Sequence, residues 1–192
     1  MIQLFYTILE AAAAAVILVP LFLILNTVRF RNVRRTALYV LFVIYLAGIY
    51  AVVGLPNVTY IRFDLNLNIV PILPMLSALR DSLLNVLLFV PMGFFLTLLW
   101  KFFRSPSRTV LFGFFLSLSI EILQIFTFRA TDVNDLITNT LGTFFGWLLA
   151  RLVTKYCPKL ALTSPKADLP ILFGSAFAVM FFFQPLIWKL IY

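Results

Sequence analysis

The chain has 192 residues, 63% of them apolar and only 11% charged, with a mean hydropathy of +1.07. A soluble domain carries about 25% charge, so this composition excludes a soluble globular protein and a disordered one, and it argues against a peripheral one. Fifteen Lys and Arg against seven acids give a net charge of +8. In a soluble chain that balance would point to nucleic acid; here no nucleic-acid partner is expected, and the question becomes on which side of a bilayer the cations fall. The chain has no His and one Cys. That removes His-based zinc sites, Ser-His and Cys-His nucleophiles and an internal disulfide, and no metal or cofactor is expected.

Uncharged stretches of roughly 20 residues, the length that crosses the hydrocarbon, recur six times. In chain order they run over Gln3 to Asn26, Thr36 to Leu55, Ser82 to Trp100, Thr109 to Phe128, Asp132 to Val153 and Leu169 to Tyr192. Their interruptions are few, chiefly Glu10 in the first and Glu121 in the fourth. They do not alternate polar and apolar as barrel strands do. The fold class predicted is an all-α bundle of about six transmembrane helices, with an extended outer-face loop between spans two and three. By hydropathy the chain divides into a transmembrane domain over 1–156, a cytoplasmic linker over 157–168 holding Pro158 and Pro165, and a C-terminal span over 169–192.

Eleven Lys and Arg lie in the first, third and fifth loops, and four lie on the opposite side: Arg62, Arg80, Arg129 and Lys189. The asymmetry puts the odd loops in the cytoplasm and both termini outside. The first apolar run lacks a basic leader and a cleavage motif, so it reads as an uncleaved span.

With that orientation, polar side chains can be placed by depth at about 1.5 Å per helical residue. Glu10, Asn85, Glu121, Gln124, Asp132, Asp135, Asn139 and Gln184 all fall in the outer half. Glu121 is placed about 10 Å below Phe128. Gln124 three residues on and Ser117 four residues back share its face, which should turn inward toward Asn85 and Asn139. A carboxylate at mid-span costs about 2.5 to 3.5 kcal/mol. Glu10 and Glu121 therefore need partners, and Arg62, Arg80 and Arg129 are the cations on that side. Two readings compete: a hydrogen-bonded knot that locks helices, and a ligand-facing polar cavity. The cavity is favoured, because intramembrane ionisable residues are functional by default.

From Ile61 to Ile69 apolar and polar residues alternate strictly, which predicts an extended segment with Arg62, Asp64, Asn66 and Asn68 on its polar face. Pro71 and Pro74 end it, and Met75 to Arg80 suits a short amphipathic helix. The segment reads either as a lid over the cavity or as a surface strand. Pro91 and Gly93 predict a kink. Thr138, Gly142, Gly146 and Ala150 form a four-spaced stripe of small residues, and Ala11 to Ala15 a short alanine run; both suit close helix packing. Asp132 and Asp135 resemble an N-cap and an acidic third position. Capping explains Asp132 better than Asp135.

Two stretches carry a family resemblance. Ser82-Leu-Leu-Asn85-Val-Leu-Leu-Phe-Val-Pro91-Met-Gly93 is similar to the N-V-L-L-F-x-P-x-G segment of VanZ-like membrane proteins. Ser119-Ile-Glu121-Ile-Leu-Gln124, followed by Arg129-Ala-Thr-Asp132-Val-Asn-Asp135-Leu-Ile-Thr-Asn139-Thr-Leu-Gly142, resembles that family's second block. Leu65-Asn66-Leu67 with Pro71 is similar to its L-N-L-x-P entry, with two extra residues before the proline. The resemblance implies a multi-pass bacterial cell-membrane protein associated with resistance to the glycopeptide teicoplanin. Its motif positions carry over to Asn85, Pro91, Gly93, Glu121, Gln124, Arg129, Asp132, Asp135, Asn139 and Gly142.

Four functions are compatible with these residues. The first is binding or modulation of a lipid-linked cell-wall precursor, a membrane lipid or a lipophilic glycopeptide antibiotic. Asn85, Glu121, Gln124, Arg129, Asp132, Asp135, Asn139, Arg62 and Asn66 would form its site, and the arginines suit phosphate or carboxylate. The second is an intramembrane enzyme on the same ligands, with Glu121 and Asp135 as acid and base and Asp132 a metal ligand. A structural bundle partner ranks third. A proton-coupled transporter ranks last, because the inner half lacks a polar path and no inverted repeat is visible.

Overall fold

The protein is described from a computed structural model covering residues 2–63, 67–68, 79–127 and 131–191. Its helices are α1 (Ile2–Leu25), α2 (Val33–Val53), α3 (Leu79–Leu99), α4 (Pro106–Gln124), α5 (Val133–Tyr156) and α6 (Leu169–Ile191). All six are long and apolar enough to cross a membrane. This is the helical class that the charge-free stretches predict.

The helices form two compact units. One comprises residues 1–61 and 165–192, that is α1, α2 and α6. Ala14, Leu18 and Phe22 of α1 are fully buried there, with Tyr39, Phe42, Val43 and Ala47 of α2 and Leu172 and Met180 of α6. Within the Ala11–Ala15 run only Ala14 is buried; the others are partly or fully exposed. A π-turn over Asn26–Phe30 ends α1. The Asn26 carboxamide oxygen then accepts from the Asn32 N–H and the Thr36 hydroxyl, at 3.0 and 2.8 Å. Asn32 in turn caps α2 by accepting the Arg35 N–H at 2.9 Å. At the other end of α2, Gly54 takes the left-handed conformation (φ 64°) and returns its N–H to the Tyr50 carbonyl. Glycine adopts this conformation without steric penalty.

The second unit comprises residues 62–164, with α3, α4 and α5. Its organising contact is between α3 and α5. A β-carbon on Gly93 would meet the backbone of Thr143 and Trp147, and one on Gly142 or Gly146 would meet the Val86 or Val90 carbonyl. Gly113 of α4 lies likewise against the Thr143 side chain. Lipid tails give apolar side chains no reason to leave them, so membrane helices gain by close backbone approach, and glycine permits it. The small-residue stripe Thr138, Gly142, Gly146 and Ala150 is buried along α5, as expected. Helix α3 continues through Pro91, and Gly93 serves close packing.

The burial pattern reverses that of a soluble bundle. In α4 the buried positions are Thr109, Gly113, Ser117, Ile120, Glu121 and Gln124, while Leu111, Phe115 and Ile122 are 50% or more exposed. Polar and small residues turn inward, where partners satisfy them, and large apolar ones face lipid.

Among the described residues, the strands are β1 (Leu67–Asn68) and β2 (Thr131–Asp132), which pair in parallel, and a single antiparallel bridge joins Asn57 and Tyr60. Leu67 and Asn68 are thus extended, as the period-two pattern predicts. Apart from Ile61 to Phe63, the rest of the expected outer loop lies outside the described residues, as does the Met75 to Ala78 part of its short helix; Leu79 and Arg80 begin α3.

Candidate functional site

The second unit gathers most of the residues singled out in the sequence. Asp132 is the N-cap of α5: its side chain accepts the Asn134 N–H at 2.8 Å and the Asn134 carboxamide at 2.8 Å. An aspartate fits this position because it satisfies an orphan N–H and its charge faces the positive end of the helix. The Asp132 backbone N–H donates to Glu121 Oε2 at 2.9 Å, tying the last turn of α4 to the first turn of α5. Asp135, one turn into α5, accepts from the Asn85 carboxamide of α3 at 2.6 Å. One turn deeper, the Asn139 carboxamide donates to the Ser117 hydroxyl of α4 at 2.9 Å. Three cross-helix contacts therefore stack along α5.

Glu121, Gln124 and Asn139 are each 4% exposed and Ser117 is fully buried. Glu121 shares its electrostatic neighbourhood with Asp132 and Asp135. The Asn139 Oδ1 is buried and has no hydrogen-bond partner among the described residues. A buried amide oxygen in that condition carries a desolvation penalty of about 1–3 kcal/mol that a ligand or water hydroxyl would relieve.

One expectation is corrected. Glu121 lies nearer the helix end than the charge-free run suggested. Helix α4 ends at Gln124, and the chain turns over Ile125–Thr127 with the Thr127 hydroxyl bonded to the Gln124 carbonyl at 2.9 Å. The uncharged stretch overshoots the helix because the turn residues are themselves apolar. The face of Ser117, Glu121 and Gln124 turns inward as expected; within the cluster the Asn85 carboxamide bonds Asp135, while Glu121 holds the Asp132 backbone. Arg62 is exposed, and its N–H donates to the Phe126 carbonyl at 3.0 Å. Arg129 and Asn66, and any pairing of Arg129 with the acids, lie outside the described residues. Among the described residues no group of three or more His, Cys, Asp or Glu is arranged to hold a metal.

Glu10 and Gln184 belong to the first unit and form a chain of their own. Gln184 donates to Glu10 Oε2 at 2.8 Å, and Trp188 is a further hydrogen-bond partner of Glu10. Asn57 donates to Gln184 Oε1 at 3.2 Å, and the Thr59 N–H donates to Asn57 Oδ1 at 3.1 Å. For Glu10 the knot reading is the one this arrangement supports.

Sequence reasoning missed Asn134, Asn57 and a third buried carboxylate. Asp168 is 2% exposed, accepts the Arg29 guanidinium at 3.1 Å and the Tyr39 hydroxyl at 2.9 Å, and anchors the start of α6. Its one available signal was the concentration of cations in the first loop.

Six apolar helices whose polar faces turn inward define a multi-pass membrane protein. A family model described as VanZ/LLP1 matches residues 3–154, and the chain belongs to the VanZ/LLP1 family. It is similar to protein VanZ of Enterococcus faecium, with 37% identity over 95 residues that cover 49% of this chain and 55% of that protein. The chain thus spans about half the length of that curated relative. No solved structure matches.

Proposed function

We propose that this protein binds or modulates a cell-envelope lipid precursor or a lipophilic glycopeptide antibiotic, in association with teicoplanin resistance. The ligand engages the polar cluster at the end of α4 and the start of α5. On this reading the protein sits in the bacterial cell membrane with that end and both termini outside the cytoplasm. The observation that carries it is Glu121. It is a carboxylate buried on the inward face of a membrane helix, close to two more acids. Like charges brought together repel, so three acids at one helix junction carry a cost beyond what locking the helices requires. Binding a cation or hydrogen-bond donor offsets that cost. The inward amides of Asn85 and Asn139 add neutral donors and acceptors, suited to a peptide or sugar.

The test is direct binding. The protein in lipid nanodiscs is titrated with teicoplanin and, separately, with a lipid-linked cell-wall precursor. Saturable binding of one of them, weakened about tenfold by Asp135→Asn, is expected. No binding of either ligand by the wild type contradicts the proposal.

A further inference from the structure

The opposite end of the second unit carries a feature that the acidic cluster does not use. The end of α3 and the chain from the end of α5 to Ser164 meet there: the Leu162 and Ser164 N–H groups donate to the Leu98 and Leu99 carbonyls at 2.8 and 2.9 Å. Residues 99–108 and 151–164 hold six cations, Lys101, Arg104, Arg108, Arg151, Lys155 and Lys159, and no acid. Two clefts open among them. One, of about 380 Å³, is lined by Arg104, Arg151, Thr154 and Thr163 with two apolar residues. The other, of about 420 Å³, is lined by Leu148, Leu152, Arg151, Thr154 and Lys155. Arg151 and Thr154 belong to both, so a cationic hollow adjoins an apolar groove.

We infer that this double cleft is a binding site for an anionic phospholipid. The phosphodiester would sit between Arg104 and Arg151, and an acyl chain would lie along Leu148 and Leu152. Arg104 is held ready: its guanidinium donates to the Leu162 carbonyl at 2.9 Å, and its own carbonyl accepts the Trp147 indole N–H at 3.1 Å. Arg151 is exposed and makes no ion pair with a described residue. A planar guanidinium matches two phosphate oxygens at once. The depth also fits. Helix α5 has 24 residues, about 36 Å, against a hydrocarbon thickness of about 30 Å. Its Arg151–Lys155 end therefore reaches headgroup level while Leu148, 47% exposed, faces acyl chains. Basic pockets at the ends of membrane helices recognise anionic headgroups, at about 1 kcal/mol per cation. Simple snorkelling of the cations would require neither the cleft nor its apolar extension.

The test uses the full chain, purified and equilibrated with phosphatidylglycerol or phosphatidylcholine, with retained lipid read by native mass spectrometry. The wild type should retain phosphatidylglycerol over phosphatidylcholine, and Arg151→Gln with Lys155→Gln should reduce that retention about tenfold or more. Neither side chain is needed for a buried bond, and matched thermal unfolding of the variant confirms its fold. A variant that unfolds is replaced by Arg151→Lys, which keeps the charge but loses the fork and should weaken retention less. Equal retention of the two lipids by the wild type, or undiminished retention by the double variant, overturns the site. Full displacement of the lipid by millimolar inorganic phosphate would show a free-phosphate site and likewise overturn it.

Discussion

Glu121 Oε2 accepts the backbone N–H of Asp132 at 2.9 Å, while the Asp132 side chain caps helix α5. One aspartate thus joins α4 to α5 through its N–H and starts α5 through its carboxylate. The Glu121 carboxylate needs no cation for this contact. Replacing it by glutamine keeps an oxygen acceptor at the same reach but removes the charge. Structural and chemical roles of the residue can therefore be separated by experiment.

The contact between Asn85 and Asp135 should be a stabilising one. Hydrogen bonds to charged groups contribute about 1.5–3 kcal/mol, and this one spans two helices. Asn85→Ala should lower the thermal unfolding temperature in detergent, whereas Asn85→Ala in an Asp135→Asn background should cost less than in the wild type. Equal costs in both backgrounds would mean the two side chains are not coupled.

Gly146 packs where a β-carbon would overlap the Val90 carbonyl. Backbone atoms cannot move aside as a flexible side chain can. Gly146→Ala should therefore force α3 and α5 apart and destabilise the second unit by about 1–3 kcal/mol. At Gly48, with open space around its β-carbon position, alanine should be tolerated. Matched melting curves for the two variants would contradict the close approach.

In the first unit the two members of the Arg29–Asp168 pair differ in exposure, 44% against 2%. Removing the exposed cation strands a buried carboxylate, whereas removing the charge of the buried acid leaves Arg29 to water. Arg29→Ala should therefore destabilise more than Asp168→Asn, and adding Asp168→Asn to Arg29→Ala should restore part of the loss. The half-exposed arginine limits the first cost to the lower end of the 3–5 kcal/mol seen on breaking buried pairs. The reverse ranking in denaturant titrations would show that the pair does not hold α6.

The proposed topology rests on the charge asymmetry and can be tested with the native chain. Cys157 is the single cysteine and is exposed just after α5. A membrane-impermeant maleimide should label it only after permeabilisation, and reporter fusions at Ser107 and Ser164 should report cytoplasm. Labelling of Cys157 in intact cells would invert the assignment of the acidic cluster to the outer side.

The six helices were legible because the hydrocarbon enforces length and apolarity on each one, and charges mark the ends. Helical spacing likewise exposed the shared face of Ser117, Glu121 and Gln124, and depth brought Asn139 to Ser117. Asp168 was not legible. It sits in a linker with several cations, where an acid reads as solvated, and its partners Arg29 and Tyr39 are 139 and 129 residues away. The partner of Asp135 was not legible either, since depth alone cannot distinguish Asn85 facing Glu121 from Asn85 facing an acid one helix over. Gly93 was legible only in part: the sequence pairs it with Pro91, whereas its place against the Thr143 backbone depends on how α3 and α5 meet.

The central claim is that Glu121 serves ligand engagement beyond packing. The direct measurement is teicoplanin susceptibility of cells expressing wild-type protein or Glu121→Gln, with the membrane level of each quantified in the same cultures. Accumulation of the variant at the wild-type level with loss of most of the protection is the predicted result. Full protection by Glu121→Gln at equal membrane level would contradict the claim and leave Glu121 a structural tie between α4 and α5.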